Sequence, residues 1–125
     1  MSTQRVILIT GTRKGIGRYL AEKHAAAGWR VIGCSRSAAD FSLENYEHYC
    51  LDVADETAVT ALFRDIRRRH GRLDALINNA GVAAMNSALL MPVSQLQKLL
   101  STNVSGTFVC CREAAKLMQI GRAHV

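Results

Sequence analysis

Nowhere does the chain hold the ~20 consecutive apolar residues that a bilayer-crossing helix needs, which argues against a membrane protein. Met1 to Arg5 lead almost directly into an apolar run and leave no room for a signal peptide. The four cysteines, Cys34, Cys50, Cys110 and Cys111, lack metal-ligand spacing, and the adjacent pair is a poor disulfide candidate. They are expected to be reduced thiols in a cytoplasmic protein, and no metal site is expected. No repeat or low-complexity tract interrupts the chain. What is present suits one ordinary soluble domain: 125 residues, 49% apolar and 21% charged.

Acidic residues are in the minority, 10 against 16 Lys and Arg, for a net charge of +6. Such a balance raises nucleic-acid binding. Its densest source is Arg64, Arg67, Arg68, Arg69 and Arg72, on and just beyond a helix whose apolar stripe is Val59, Leu62, Phe63 and Ile66. That i, i+3, i+4, i+7 spacing marks a core-facing stripe. The arginines fall on the other side or in the last turn, where cations suit the helix dipole. A solvated helix face accounts for them, and no aromatic platform accompanies it; no nucleic-acid partner is expected.

Strand and helix signals alternate. A strand over Arg5 to Ile9 is followed by a helix from Gly15 to Ala27, with Gly28 as its C-terminal stop. Trp29 to Cys34 reads as a second strand, Ser35 to Glu47 as a loop, and His48 to Leu51 as a short third strand. Asp55 is a good N-cap for a helix ending near His70-Gly71. Leu73 to Ile77 reads as a fourth strand, Pro92 opens a helix to Leu100, and a separate helix spans Thr102 to Met118. This alternation implies a parallel sheet covered on both faces. Ligands of such sheets bind beyond the carboxyl ends of the strands, where strand order reverses.

Thr10-Gly11-Thr12-Arg13-Lys14-Gly15-Ile16-Gly17 stands at one of those ends, between an apolar strand and a helix. A glycine-rich turn there lets backbone N–H groups and the positive end of the helix dipole meet a phosphate. Gly11 would form the tight turn, Gly15 the close approach and Gly17 the helix packing. Ile16 would fill space beneath the turn and offer its N–H. Ser35-Arg36, Asp52-Val53 and Asn79-Ala80-Gly81 also follow strands, so all four segments are expected along one edge of the sheet. An acid after the second strand would bind ribose hydroxyls and repel a 2′-phosphate. Here Ser35-Arg36 stands in that place, with no acid before Asp40 and with Arg13 and Lys14 nearby. A guanidinium can hold a phosphate through paired hydrogen bonds, so NADP(H) is the expected cofactor. The ordinary alternative is that all three are surface cations. The histidines show no clustering, and none is assigned a role.

The order of Thr-Gly-x-x-x-Gly-Ile-Gly, Leu51-Asp52-Val53, Asn78-Asn79-Ala80-Gly81 and Asn103 resembles the short-chain dehydrogenase/reductase family, from about Arg5 to Met118. The resemblance implies an α/β fold, a Rossmann-type doubly wound parallel sheet, cut off after the fourth strand and two following helices. It implies hydride transfer between a nicotinamide cofactor and a small carbonyl or secondary alcohol; generic members such as 3-oxoacyl-carrier-protein reductases share these motifs. By resemblance Asp52 contacts the adenine amino group, although an Asp after a strand often caps a turn instead. Asn79 holds the ribose or locks neighbouring backbone, and Ala80-Gly81 let the chain pass close to the cofactor. Asn103 is the one catalytic residue implied, bending its helix and holding a water in a proton relay. A homo-oligomer is implied for the full-length protein.

The family's serine and Tyr-x-x-x-Lys pair, which the resemblance puts beyond Asn103, are missing from these residues: Tyr19, Tyr46 and Tyr49 all precede Asn103, and Tyr19, the one with lysine four residues on at Lys23, falls in the first helix. A non-catalytic nucleotide-binding or redox-sensing module therefore stands as the alternative reading. By the same resemblance a further strand and helix are expected beyond this stretch. Leu73 to Ile77 would then form an open edge, and Val104, Phe108, Cys111, Ala115 and Met118 would lack part of their cover. The tail Ile120-Gly121-Arg122-Ala123-His124-Val125 reverse-translates as ATC GGA AGA GCA CAC GTC, a common sequencing-adapter string, with Gln119 completed by the adapter's leading AG. Residues 1–118 are thus expected to be the dinucleotide-binding part and 119–125 an adapter-derived tail.

Overall fold

The computed structural model describes residues 4–81 and 90–120. Of the expected tail only Gln119 and Ile120 fall among them, and residues 121–125 lie outside. The elements are β1 (Val6–Thr10), α1 (Gly15–Ala26), β2 (Arg30–Ser35), β3 (Tyr46–Cys50), α2 (Glu56–His70), β4 (Ala75–Ile77), α3 (Val93–Leu100), a π-helical turn (Ser101–Ser105) and α4 (Gly106–Ile120). The four strands pair in parallel in the order β3-β2-β1-β4. The chain steps outward from β1 through β2 to β3, then returns to the other side of β1. The carboxyl end of β1 is therefore where strand order reverses.

β1 is buried on both faces because its alternate side chains enter two cores. Val6 and Leu8 join Ile32 and Cys34 of β2 against Val59, Leu62, Phe63 and Ile66 of α2 and Val109, Cys110, Ala114 and Leu117 of α4. Ile7 and Ile9 join Val31 against Ala21 and Ala25 of α1. Each such large side chain contributes about 1.5–3 kcal/mol by leaving water. The apolar strand and the α2 stripe are thus the scaffold that aims the strand ends.

Element boundaries differ from the sequence expectation where tertiary pairing sets them. α1 ends at Ala26, and Gly28, at φ +93°, closes it: Gly28 N–H reaches Ala25 O and Trp29 N–H reaches His24 O. β2 begins at Arg30 rather than Trp29. β3 starts at Tyr46 because Tyr46 pairs with Val31, two residues before the expected His48. β4 is shorter than expected because Asp74 bonds sideways, accepting from Val6 N–H at 2.8 Å and from Arg72 Nε at 2.9 Å. Asp55 caps α2 by accepting from Ala58 N–H, and Gly71, at φ +70°, closes its other end.

The largest correction concerns the last two helices. No break separates them: Leu100, Ser101 and Gly106 all keep right-handed helical dihedrals, and α3, the π turn and α4 form one rod. Gly106 N–H reaches Ser101 O, a wider turn that absorbs one extra residue without ending the helix. Among the described residues no helix is long and apolar enough to cross a membrane.

Candidate functional site

The carboxyl ends of the strands enclose a cavity of about 420 Å³. Every residue expected to bind the cofactor lines it except Ile16 and Gly17. Gly11, Arg13, Lys14 and Gly15 come from the turn after β1, Ser35 and Arg36 from the end of β2, Asp52 and Val53 from beyond β3, and Asn79, Ala80 and Gly81 from beyond β4. Thr102, from the π turn, closes the remaining side. Leu51 lines the cavity at the head of the Leu51-Asp52-Val53 segment, whereas Cys34, Ser37 and Thr102 were not anticipated as wall residues; lying beside an expected residue is the one signal that marks them.

Hydrogen bonds hold the walls together. Gly11 N–H donates to Cys34 O at 2.8 Å and Thr12 N–H to the same oxygen at 3.2 Å, hooking the glycine turn onto β2. The buried Thr10 hydroxyl accepts from Asn79 N–H at 3.0 Å and Ala80 N–H at 2.9 Å. Asn79 Nδ2 donates to Gly11 O at 3.1 Å, so this side chain locks neighbouring backbone. Burial pushes the Cys34 thiol up to about 12, leaving it a neutral wall residue.

The glycines show why the turn takes no side chains. Gly11 and Gly15 have φ of +72° and +63°. A Cβ on Gly17 would lie 2.0 Å from Gly11 O, so Gly17 packs α1 under the turn without touching the cavity. Nothing lies within 4 Å of a Cβ built on Gly15, which leaves the approach to the turn open. Ile16 does not fill the space beneath it: its side chain is 70% exposed, because the second residue of α1 points away from the sheet. The role beneath the turn belongs to Gly17.

Asp52 accepts from Ala54 N–H through Oδ1 at 2.9 Å and its carbonyl accepts from Asp55 N–H at 2.9 Å. It caps its own turn while lining the cavity. Asn103 is exposed and sits at the centre of the π turn; its carbonyl accepts from the Thr107 hydroxyl at 3.0 Å. Its side-chain oxygen would lie 3.2 Å from a Cβ on Gly81, so it stands against the cavity rim. π turns of this kind recur at functional sites.

The residues present fit an anionic dinucleotide. α1 starts at the cavity with no side-chain cap at Lys14 and no acid in its first turn, leaving its N–H groups and dipole uncompensated. Arg13 Nε is buried without a hydrogen-bond partner, a donor placed for an acceptor the chain does not supply. Arg36 is exposed at the cavity edge. The first acid after β2, Asp40, is turned away to Arg18 at 3.6 Å.

The family profile described as short chain dehydrogenase matches residues 5–124. The chain belongs to that family. Among its curated relatives, an uncharacterised oxidoreductase of Schizosaccharomyces pombe is 33% identical over 94% of this chain and 41% of its own length. The 3-oxoacyl-[acyl-carrier-protein] reductase FabG of Escherichia coli is 31% identical over 91% of this chain and 49% of its own. Among solved structures, ElxO with NADP bound superposes with a TM-score of 0.86 at 33% identity, covering 94% of this chain and 51% of that one. This short-chain dehydrogenase chain spans about half the length of the curated relatives it matches.

Proposed function

We propose that the protein is an NADP(H)-dependent oxidoreductase acting on a carbonyl or secondary alcohol, and that this chain forms the dinucleotide half of its site. The supporting observation is the cavity's charge: Arg13, Lys14 and Arg36 surround it, and no acid stands between Ser35 and Asp40. A similar protein whose solved structure has NADP bound points the same way. When bound, the dinucleotide supplies the hydride donor or acceptor at its nicotinamide. The chain's own residues then do the holding. The first turn of α1 and the glycine turn take the pyrophosphate. Arg36, helped by Arg13 and Lys14, takes the 2′-phosphate, and Asp52 and Val53 flank the adenine. Asn103 holds a water toward the reacting end.

None of these residues supplies the proton. Tyr46 is held in hydrogen bonds and pushed up to about 12 by burial, and Tyr49 is pushed up as well, so neither yields a proton near neutrality. Because no tyrosine is among the residues lining the cavity, and Tyr19 with Lys23 stands outside it on α1, a nucleotide-binding module without catalysis is the second reading. Both are tested on the protein expressed from its complete gene, by reduction of an acetoacetyl thioester and of simple ketones with NADPH and with NADH. Turnover preferring NADPH supports the first reading. Arg36→Asp should weaken the phosphorylated cofactor by about 1.5–3 kcal/mol, the value of a charge-assisted pair. A clear preference for NADH in the unmutated protein rejects the cofactor assignment, and cofactor binding without turnover favours the second reading.

A further inference from the structure

A chain of polar contacts runs behind the cavity from one cofactor-facing turn to the other. Thr12 Oγ1 lies 2.6 Å from the Tyr46 hydroxyl, which lies 2.6 Å from His48 Nδ1. The opposite ring nitrogen, His48 Nε2, lies 2.8 Å from Ser35 Oγ and 3.1 Å from Ser37 O. Ser35 Oγ donates to that same carbonyl at 2.5 Å. Space for the chain is reserved at Gly33, where a Cβ would stand 2.1 Å from the Tyr46 hydroxyl and 2.3 Å from Thr12 Oγ1.

The direction of each link follows from the donor inventory. A carbonyl only accepts, so the Ser35 proton is committed to Ser37 O. His48 Nε2 then faces two acceptor oxygens and carries a proton. In the neutral ring Nδ1 is left to accept, from Tyr46, and the Tyr46 oxygen is left to accept from Thr12. The ring therefore grips both residues that flank Arg36 and ties their turn to the glycine turn.

We propose that His48 is a positioning residue for the 2′-phosphate of the dinucleotide: its Nε2–H holds the Ser35–Ser37 turn in the shape that places Arg36 at the cavity, and its Nδ1, through Tyr46 and Thr12, fixes that turn against the glycine turn. The inference rests on the NADP(H) reading above. A network that only fastened β3 to the sheet would, when cut, lower stability and weaken all adenosine ligands alike. A network that sets Arg36 acts on the phosphorylated one selectively.

The test is calorimetric titration of the gene-encoded protein with 2′,5′-ADP and with ADP, with thermal unfolding measured alongside. His48→Ala should weaken 2′,5′-ADP about fivefold to tenfold, the loss of one or two neutral hydrogen bonds, and ADP less than about twofold. Two further variants keep the side chain's bulk and divide its roles. In His48→Gln the amide nitrogen takes the place of Nε2, so most of the selectivity should return. In His48→Asn the amide reaches only the Nδ1 position, so selectivity should fall as in the alanine variant. Equal losses for both ligands in His48→Ala, or equal ligand ratios in the Gln and Asn variants, overturn the proposal and leave the dinucleotide reading standing. An unmutated protein that binds ADP no more weakly than 2′,5′-ADP overturns the NADP(H) reading and this inference with it.

Discussion

Helix α2 and the rod formed by α3, the π turn and α4 share a core, yet only one of them is finished. α2 buries Val59, Leu62, Phe63 and Ile66, caps its start with Asp55 and closes its end with Gly71. Its basic face is partly paired, Arg68 with Asp65 and Arg69 with Glu47. The rod buries one side of α4, through Val109, Cys110, Ala114 and Leu117. Its first segment, α3, has no fully buried residue; Gln95 and Leu99 are half-buried and the rest exposed. Val93, Leu96, Leu100, Val104 and Phe108, spaced three or four residues apart, form a second apolar stripe at 45–69% exposure. An apolar stripe of helical period announces that a face is built for burial. It does not say which element covers it, and in α3 none of the described residues does.

The sharpest way to break this comparison is to truncate both stripes. In the 125-residue chain, Ile66→Ala should cost about 2–5 kcal/mol, because it removes packed atoms and leaves a cavity. Leu100→Ala, half-exposed, should stay within about 0.5 kcal/mol. Urea unfolding of both variants gives the two numbers. A loss at Leu100 as large as at Ile66 means the stripe is covered in solution. Sedimentation would then show association through that face or through the open edge of β4, which pairs with β1 alone among the described strands.

What could be read in the sequence follows the same division. β1, the glycine turn and α2 were legible because composition and spacing settle them locally: an unbroken apolar run, glycines where a Cβ does not fit, an Asp cap and a 3.6-residue stripe. The rod was misread at Ser101 to Ser105, because Ser, Thr and Asn favour helix ends by local bonding, whereas the wider π turn keeps the helix running through them. Ile16 was misplaced because the glycine pattern fixes the turn but not which way the second helical residue points. The Tyr46–His48 chain was invisible for another reason. β3 has no apolar run, and its start is set by pairing with Val31; only that register puts Tyr46 and His48 on the same side as Thr12 and Ser35.

The helix starts offer a second, smaller test. Asp55 gives α2 a side-chain acceptor for Ala58 N–H, while Pro92 begins α3 with no side-chain hydrogen bond. Asp55→Ala should therefore lower stability by about 1 kcal/mol. Pro92→Ala removes no cap and should change it by less than about 0.5 kcal/mol. Equal effects at the two sites, measured by the same urea titrations, would mean that the start of α3 is held by something other than its cap.

The smallest expected effect separates the two helices by acid. Glu113, on the buried-side turn of α4, is held below its ordinary value of 4.5, first by its hydrogen bond from Lys116 and then by Arg112. Asp65 of α2 is held below 3.8, first by the Tyr49 hydroxyl and then by Arg68. A carboxylate whose folded pKa is depressed binds fewer protons folded than unfolded in this range. Its contribution is complete above the unfolded pKa and is lost as pH falls through the folded value. Stability should thus decline from about pH 5 toward pH 2, with the carboxylates as the cause. Glu113 is 11% exposed and Asp65 23%, while Lys116 and Arg68 lie mostly in solvent and Arg112 is 35% exposed, so screening keeps both contributions modest. Of the two, Glu113 is the more enclosed and holds two cations at 2.9 and 3.0 Å. Glu113→Gln should accordingly flatten the acid limb more than Asp65→Asn, with little change at pH 7 beyond the lost pair. Urea midpoints at intervals from pH 7 to about pH 2 for the three proteins decide it. A steeper limb in Glu113→Gln would show that this carboxylate is protonated more readily in the fold than out of it, reversing the assigned sign.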